Sequence, residues 1–203
     1  ANTVDAVAEA VAKDLSARYP VSIGMRILTN LSLFKTAKAE VTLPVSEAAG
    51  TSTDAVPLEV ARRIAEACED ANLDSFRAVT HNKGIMNGVI AVATAAAQDP
   101  RALEAGAHAY AAASGRILPL AHWRIEDRPR SRVLIGTLCM PVAVGTKGGS
   151  TRLPHAAAAL DIMGIQSSHD LAGAMLACGL ASNFAALRAL VSEGIQEGHL
   201  RLH

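Results

Sequence analysis

Lys83 lies in the run Thr80-His81-Asn82-Lys83-Gly84-Ile85-Met86-Asn87-Gly88, and between positions 78 and 98 it is the only formally charged side chain. An ammonium among apolar and small residues is costly unless paired, and its pKa is then open to adjustment. Lysine is also scarce: Lys13, Lys35, Lys38, Lys83 and Lys147 stand against fourteen arginines, so a plain surface-charge role explains Lys83 poorly. A lysine snorkelling from the rim of a buried helix is the structural alternative. Asp99 follows by sixteen residues, far enough for a helix to end and return a carboxylate toward the ammonium. Placed before Pro100, it also reads as an ordinary helix cap. His199 sits in Glu193-Gly194-Ile195-Gln196-Glu197-Gly198-His199-Leu200, where the preceding glycine lets an imidazole approach a neighbour; a solvated histidine is the alternative. His108 reads as a packed helix histidine. The glycine-rich run Gly145-Thr146-Lys147-Gly148-Gly149-Ser150-Thr151 lacks both the Walker and the GxGxxG spacing. It permits close backbone approach to an anionic or carbonyl ligand at a helix start, or it is a strand-to-helix turn.

The elements that must position these residues follow from periodicity. Asn2 can cap a helix with Val4, Val7, Val11 and Leu15 on one face, ending near Tyr19-Pro20. Val21 to Thr29 and Ala39 to Leu43 read as strands. After the polar break at 50–54, Val56 to Ala71 reads as an amphipathic helix, with Val60, Ile64 and Ala67 inward. The Lys83 segment continues into an alanine-rich helix; Asp99-Pro100 opens the next, which Gly115 closes. Ile117 to Ile125 and Arg132 to Met140 read as strands of a hairpin around a charged turn. Ser167 with Asp170 resembles a capping box, and a break near Gly179 separates the final helix, Leu180 to Ile195. The order is mixed α+β with helices dominating.

Composition bounds the function classes. Half of the 203 residues are hydrophobic, only 3% are aromatic, and the nineteen basic and nineteen acidic side chains cancel. Tightly packed helices are expected, and no basic surface argues for nucleic acid or an acidic membrane. Cys68, Cys139 and Cys178 form no CxxC pattern, against a disulfide framework or a zinc site and for a reducing compartment. Apolar runs are broken by Gly, Asn or charge before transmembrane length, so a cytoplasmic protein without a membrane partner is expected. The chain begins at Ala1 within a helical pattern and stops at His203 without a polar tail, so both ends read as cuts within a longer polypeptide.

Taken together, Arg77 to Gly88, Glu104 to Ala111, Gly145 to Thr151 and Glu193 to Leu200 resemble, in family order, the large domain of bacterial-type (class II) 3-hydroxy-3-methylglutaryl-CoA reductases. The resemblance extends over essentially the whole chain, and Ala1-Asn2 resembles the tail of that family's DxMGxN nucleotide-site motif. It implies an α+β, helix-rich large domain over 31–203, largely without its C-terminal flap, and a remnant of a small nucleotide-binding domain over 1–30. The implied reaction interconverts HMG-CoA and mevalonate plus CoA through two nicotinamide hydride transfers. The cofactor would be NAD or NADP, NAD being favoured by the resemblance, with coenzyme A entering as part of the substrate.

By the same resemblance, Lys83 would polarise the thioester and aldehyde carbonyls, Asp99 would pair with it, and His199 would protonate the departing CoA thiolate. Arg77 would bind the substrate carboxylate, Asn87 would hydrogen-bond the substrate, and Ala186 and Leu190 would line its pocket. Asn30 and Asn2 would lie at the cofactor. A homodimer or higher homo-oligomer is implied, with an active site built from two subunits. Three places depart from the family pattern: Ser182 stands where Gln is common, Ala97-Gln98 stands before Asp99 where Gly-Asn is usual, and Lys147 replaces an apolar residue. The family's catalytic glutamate, carried in an ENVxG-like motif, is absent from these residues, so the chain alone is expected not to turn over. The rivals are an inactive oligomerisation or CoA-thioester-binding module, and a different CoA-thioester enzyme on the same platform.

Overall fold

The computed structural model describes residues 2–46 and 55–192, except for the side chain of Asn2. Helix α1 (Asn2–Arg18) is followed by β1 (Thr36–Ser46), β2 (Val56–Pro57), α2 (Leu58–Leu73), α3 (Ser75–Ala95) and α4 (Pro100–Ala111). Then come β3 (Ala121–Arg128), β4 (Ser131–Pro141), a 3-10 turn (Gly149–Arg152), α5 (Pro154–Ile162) and α6 (Ser168–Val191).

The strands form one sheet in the order β2-β1-β4-β3. β4 pairs antiparallel with β1 and with β3, while β2 adds a short parallel edge through Val45↔Val56. Alternation along β1 turns Ala37, Ala39, Val41 and Leu43 toward the core, where their partners are Met140, Leu138, Gly136 and Leu134. Gly136 is required there, because the Trp123 ring lies where its Cβ would be. Helices α2 and α6 cover this face of the sheet, and α3 packs along α6.

The contact between α3 and α6 is close because small residues meet. A Cβ on Gly88 would collide with the carbonyl oxygen of Cys178, and one on Gly179 would press on Val89, Ile85 and Leu138. The pairs His81–Asn183 and Gly88–Cys178 show that the two helices run antiparallel. α6 is long and apolar enough to cross a membrane by length and composition. Here it is the central packing helix, with Leu171, Met175, Leu176, Leu180 and Leu187 buried.

Three expectations need correction. Val21–Thr29 is not a strand: no neighbouring strand among the described residues pairs with it, and Met25 and Ile27 are exposed. β-propensity without a partner strand leaves the backbone irregular. The expected break at Gly179 does not exist, since α6 runs unbroken and the glycine serves close packing instead. Third, the apolar stripe Val4, Val7, Val11 and Leu15 of α1 is 40–57% exposed, so the periodicity marked a helix but not a face buried among the described residues. The hairpin and the Ser167/Asp170 capping box are present as expected.

Candidate functional site

The flanks of α3 define the site. Asp74 caps its start by accepting from the Phe76 N–H at 2.9 Å. The helix buries Ala78, His81, Asn82, Ile85, Met86 and Val89 on one side. The opposite side carries Phe76, Val79, Thr80, Lys83 and Asn87, all exposed. Lys83 and Asn87, four apart, share that face; Arg77, half-buried, lies about 120° round the helix from Lys83 at 100° per residue. Lys83 has no ion-pair or hydrogen-bond partner among the described residues. The expectation of an ammonium buried among its own apolar neighbours is therefore not met within one chain.

On α6, Ala186 is half-buried and Leu190 exposed, one helical turn apart. Because α6 runs antiparallel to α3, they lie toward the α3 end that carries Arg77. Lys83 and Asn87 thus form one group on the outward face of α3, with Arg77 turned about 120° from Lys83, and Ala186 and Leu190 lie on α6 toward the Arg77 end.

Asp99 does not join that group. α3 continues to Ala95, twelve residues past Lys83, which is about 18 Å of axial rise. Asp99 caps α4 instead, accepting from the N–H groups of Arg101 at 3.0 Å and Ala102 at 3.1 Å. The return of its carboxylate to Lys83 within one chain is ruled out by the length of α3. Asn30 lies on the Asp99 side. Its carbonyl abuts Gly106, two turns along the same face of α4. Residues 193–203, with His199, and the Asn2 side chain lie outside the described residues.

The glycine-rich loop also has a structural partner. Gly145 N–H donates to Gln98 Oε1 at 3.0 Å, and Ser150 Oγ donates to the Ala97 carbonyl at 2.7 Å. The loop is therefore docked on the turn that presents Asp99. Ala97 adopts φ 48°, a left-handed conformation that costs a non-glycine residue about 1–2 kcal/mol. Ala97→Gly should raise stability by about 0.5–1 kcal/mol after the added flexibility of the unfolded chain is counted. Urea denaturation checks this, and an unchanged or lower midpoint would show that the strain is absorbed elsewhere.

Sequence reasoning passed over the buried polar residues beneath Lys83. Trp123 Nε1 donates to Asn183 Oδ1 at 2.7 Å, and Asn183 Nδ2 lies 3.2 Å from His81 Nε2. Asn82 clamps the segment before β3, donating to the Leu118 carbonyl at 2.8 Å and accepting from the Leu120 N–H at 2.9 Å. Two adjacent polar residues inside an apolar helix were the available signal.

Burial, aided by the Arg77 guanidinium and weakly by His122, pushes His81 down to about 4, against a small opposing effect of the Ala121 backbone. His81 is thus neutral in the fold, whereas the unfolded chain takes up its proton near pH 6.5. Between pH 6.5 and about 4 the unfolded state binds more protons, so stability falls as pH is lowered through that window, by about 3 kcal/mol from this group. His81→Gln, which cannot titrate, should show a correspondingly shallower loss between pH 7 and 4 in denaturant midpoints. Identical pH slopes for the two proteins would contradict this.

An apolar cavity of about 310 Å³ between β1 and α6, walled by Trp123 and Phe184, is lined by none of the candidate residues. The exposed part of α3 and the adjacent end of α6 are the better candidate, because they carry a cation, an amide, a guanidinium and two apolar side chains.

Comparison with known proteins bears on what this face does. The sequence model of the family described as hydroxymethylglutaryl-coenzyme A reductase matches residues 1–203. A 3-hydroxy-3-methylglutaryl-coenzyme A reductase of Archaeoglobus fulgidus is 41% identical over all of this chain and 44% of its own length. A probable reductase of the same name from Borreliella burgdorferi is 38% identical, with 46% of its length covered. The chain therefore spans a little under half the length of these curated relatives. Among solved structures, a Streptococcus pneumoniae reductase superimposes with a TM-score of 0.81 at 39% identity, covering 100% of this chain and 47% of that one. A second, described as the class II enzyme bound to NADPH in open conformations, gives a TM-score of 0.81 at 38% identity over 95% of this chain and 51% of that one.

Proposed function

Because the chain belongs to the hydroxymethylglutaryl-coenzyme A reductase family, we propose that it supplies the substrate-binding and dimer-forming part of an enzyme that interconverts HMG-CoA and mevalonate plus CoA. The observation that carries this reading is the shared outward face of Lys83 and Asn87 on α3, with Arg77 on the flank of the same helix and Ala186 and Leu190 on the adjacent α6 toward the Arg77 end. Two reduced nicotinamides, bound one after the other, would each supply one hydride, the first to the thioester carbonyl and the second to the aldehyde.

The Arg77 guanidinium offers a fork suited to the carboxylate of the HMG group, fixing one end of the substrate. Lys83 then faces the reacting carbonyl and stabilises negative charge on its oxygen as the carbon becomes tetrahedral, a task that needs a positioned cation in a site closed to water. Asn87, one turn along, hydrogen-bonds the same substrate. Leu190 and Ala186 wall the methyl-bearing carbon. Collapse of the hemithioacetal breaks the C–S bond, and His199 donates the proton that releases CoA as a thiol. Of the nicotinamide's contacts, the described residues supply Asn30, exposed on the Asp99 side of α4. NADPH appears in the description of one relative, and the preference for NAD suggested by the resemblance gains no support from it.

Lys83 is exposed in one chain, yet its task requires a water-poor site. Asp99 lies beyond the end of α3, whose last residue is about 18 Å of axial rise from Lys83, so if the two meet, they belong to different copies. We therefore infer a homodimer whose second copy covers the exposed face of α3 and brings Asp99 to Lys83. The exposed apolar stripe of α1 and the irregular backbone at 20–29 support a boundary near residue 30, with 1–30 belonging to a nucleotide-binding domain and 31–203 to the large domain.

The test is spectrophotometric, using the enzyme at its full natural length. HMG-CoA with NADH or NADPH should consume two nicotinamides per mevalonate formed, and mevalonate with CoA should run the reverse. Binding of HMG-CoA without nicotinamide turnover would favour the inactive-module reading instead.

A further inference from the structure

The buried polar chain beneath Lys83 has a direction. Trp123 Nε1 is a donor only, so Asn183 must present Oδ1 to it, at 2.7 Å. That orientation turns the Asn183 Nδ2 donor toward His81 Nε2 at 3.2 Å, which must therefore be the unprotonated ring nitrogen. The ring proton then sits on Nδ1, which is buried and without a hydrogen-bond partner among the described residues. His81 and Asn183 are each only 2% exposed, and Trp123 only 5%. Three elements, β3, α6 and α3, are thus joined by two directed bonds through a single histidine tautomer.

The placement of the chain matters more than its strength. Glycine and small-residue contacts let α3 and α6 approach closely, as Gly88 does at the Cys178 carbonyl, but apolar packing is non-directional and tolerates rotation. Hydrogen bonds weaken steeply with misalignment. His81 precedes Lys83 by two residues, about 200° around the helix, so any rotation of α3 that swings Lys83 must also swing His81 away from Asn183. Asn183 in turn lies three residues before Ala186 on α6.

We propose that the His81–Asn183–Trp123 relay fixes the rotation of α3 against α6 and thereby aims the Lys83 ammonium and the Asn87 amide, which makes His81 a positioning residue for the reaction. This rests on the assignment of Lys83 to the reacting carbonyl. In the full-length enzyme, His81→Leu removes the acceptor, while His81→Gln retains one near the place of Nε2. His81→Leu should lower kcat on the order of 100-fold with KM for HMG-CoA changed only a few-fold, and His81→Gln should recover most of the loss.

Parental kcat in His81→Leu overturns the proposal, and so does an equal loss in both variants, because the acceptor would then be irrelevant. If His81→Leu fails to fold, Trp123→Phe decides. It keeps a ring near Phe184, now 5.2 Å away, and deletes only the donor; unaltered kcat overturns the relay, while lowered kcat at unchanged KM supports it. Lys83→Met is run alongside. Full turnover in that variant removes the Lys83 assignment and the relay's purpose with it, an outcome distinct from a loss in Lys83→Met with parental kcat in His81→Leu, which sinks the relay alone.

Discussion

Lys83→Met in the full-length enzyme is expected to lower kcat about 1,000-fold, with KM for HMG-CoA nearly unchanged. The size follows from what the side chain is asked to do. A donor aimed at a developing oxyanion is worth roughly 3–4 kcal/mol, realised in the transition state and little in the ground state. Methionine keeps the length and apolar stem of lysine and removes the charge, so the loss reports the ammonium and not a hole. Lys83→Arg should not restore activity, because the wider guanidinium cannot occupy the position of a compact ammonium. Steady-state kinetics in both directions would measure this, and a Lys83→Met enzyme within ten-fold of the parent would end the assignment.

The second large effect concerns stability and comes from Gly88. Its Cβ would strike the Cys178 carbonyl oxygen, with the Cys178 carbonyl carbon at 2.5 Å and Ser182 Oγ at 2.7 Å. Two of those atoms are backbone and cannot rotate away, so α3 and α6 must separate. Overpacking ordinarily costs about 1–3 kcal/mol, and a backbone-on-backbone clash lies at or above the top of that range. Alanine's better helix propensity returns only about 1 kcal/mol, so Gly88→Ala should lose at least about 2 kcal/mol net. Gly84 is the internal control. It is in the same helix, and nothing lies within 4 Å of its Cβ position, so Gly84→Ala should be neutral or stabilising by up to about 1 kcal/mol. Denaturant midpoints that failed to separate the two variants would show that α3 does not pack against α6 as described.

How far the sequence revealed these features varied with the physics behind each. Caps and periodicity are local, so the helix starting at Asp99-Pro100, the Ser167/Asp170 box and the hairpin were readable. Gly179 was not: a glycine between two apolar runs signals a break or a close contact equally well, and only the presence of α3 opposite it decides. Val21–Thr29 has strand-like residues, but a strand is realised only beside another strand. For the candidate site, residue types and motif order named Lys83, Arg77 and Asn87, and α3 does place the first and last on one face. The separation of Lys83 from Asp99 within one chain was not legible, because sixteen residues of sequence leave the length of the intervening helix open. The buried His81–Asn183 contact spans 102 positions, which no local pattern encodes.

The length of α3 also sets the symmetry of any pairing that unites Lys83 with Asp99. A two-fold contact is reciprocal, so the ammonium of each copy meets the carboxylate of the other. The rotation axis must then pass through the point midway in space between the two positions, along the later turns of α3. Ala91 lies on that stretch, exposed on the same side of the helix as Lys83 and Asn87, and a methyl side chain leaves room for a second helix to approach closely. The helix would then act as a ruler for the assembly, its twelve residues beyond Lys83 setting how far one copy must slide along the other before both sites close together.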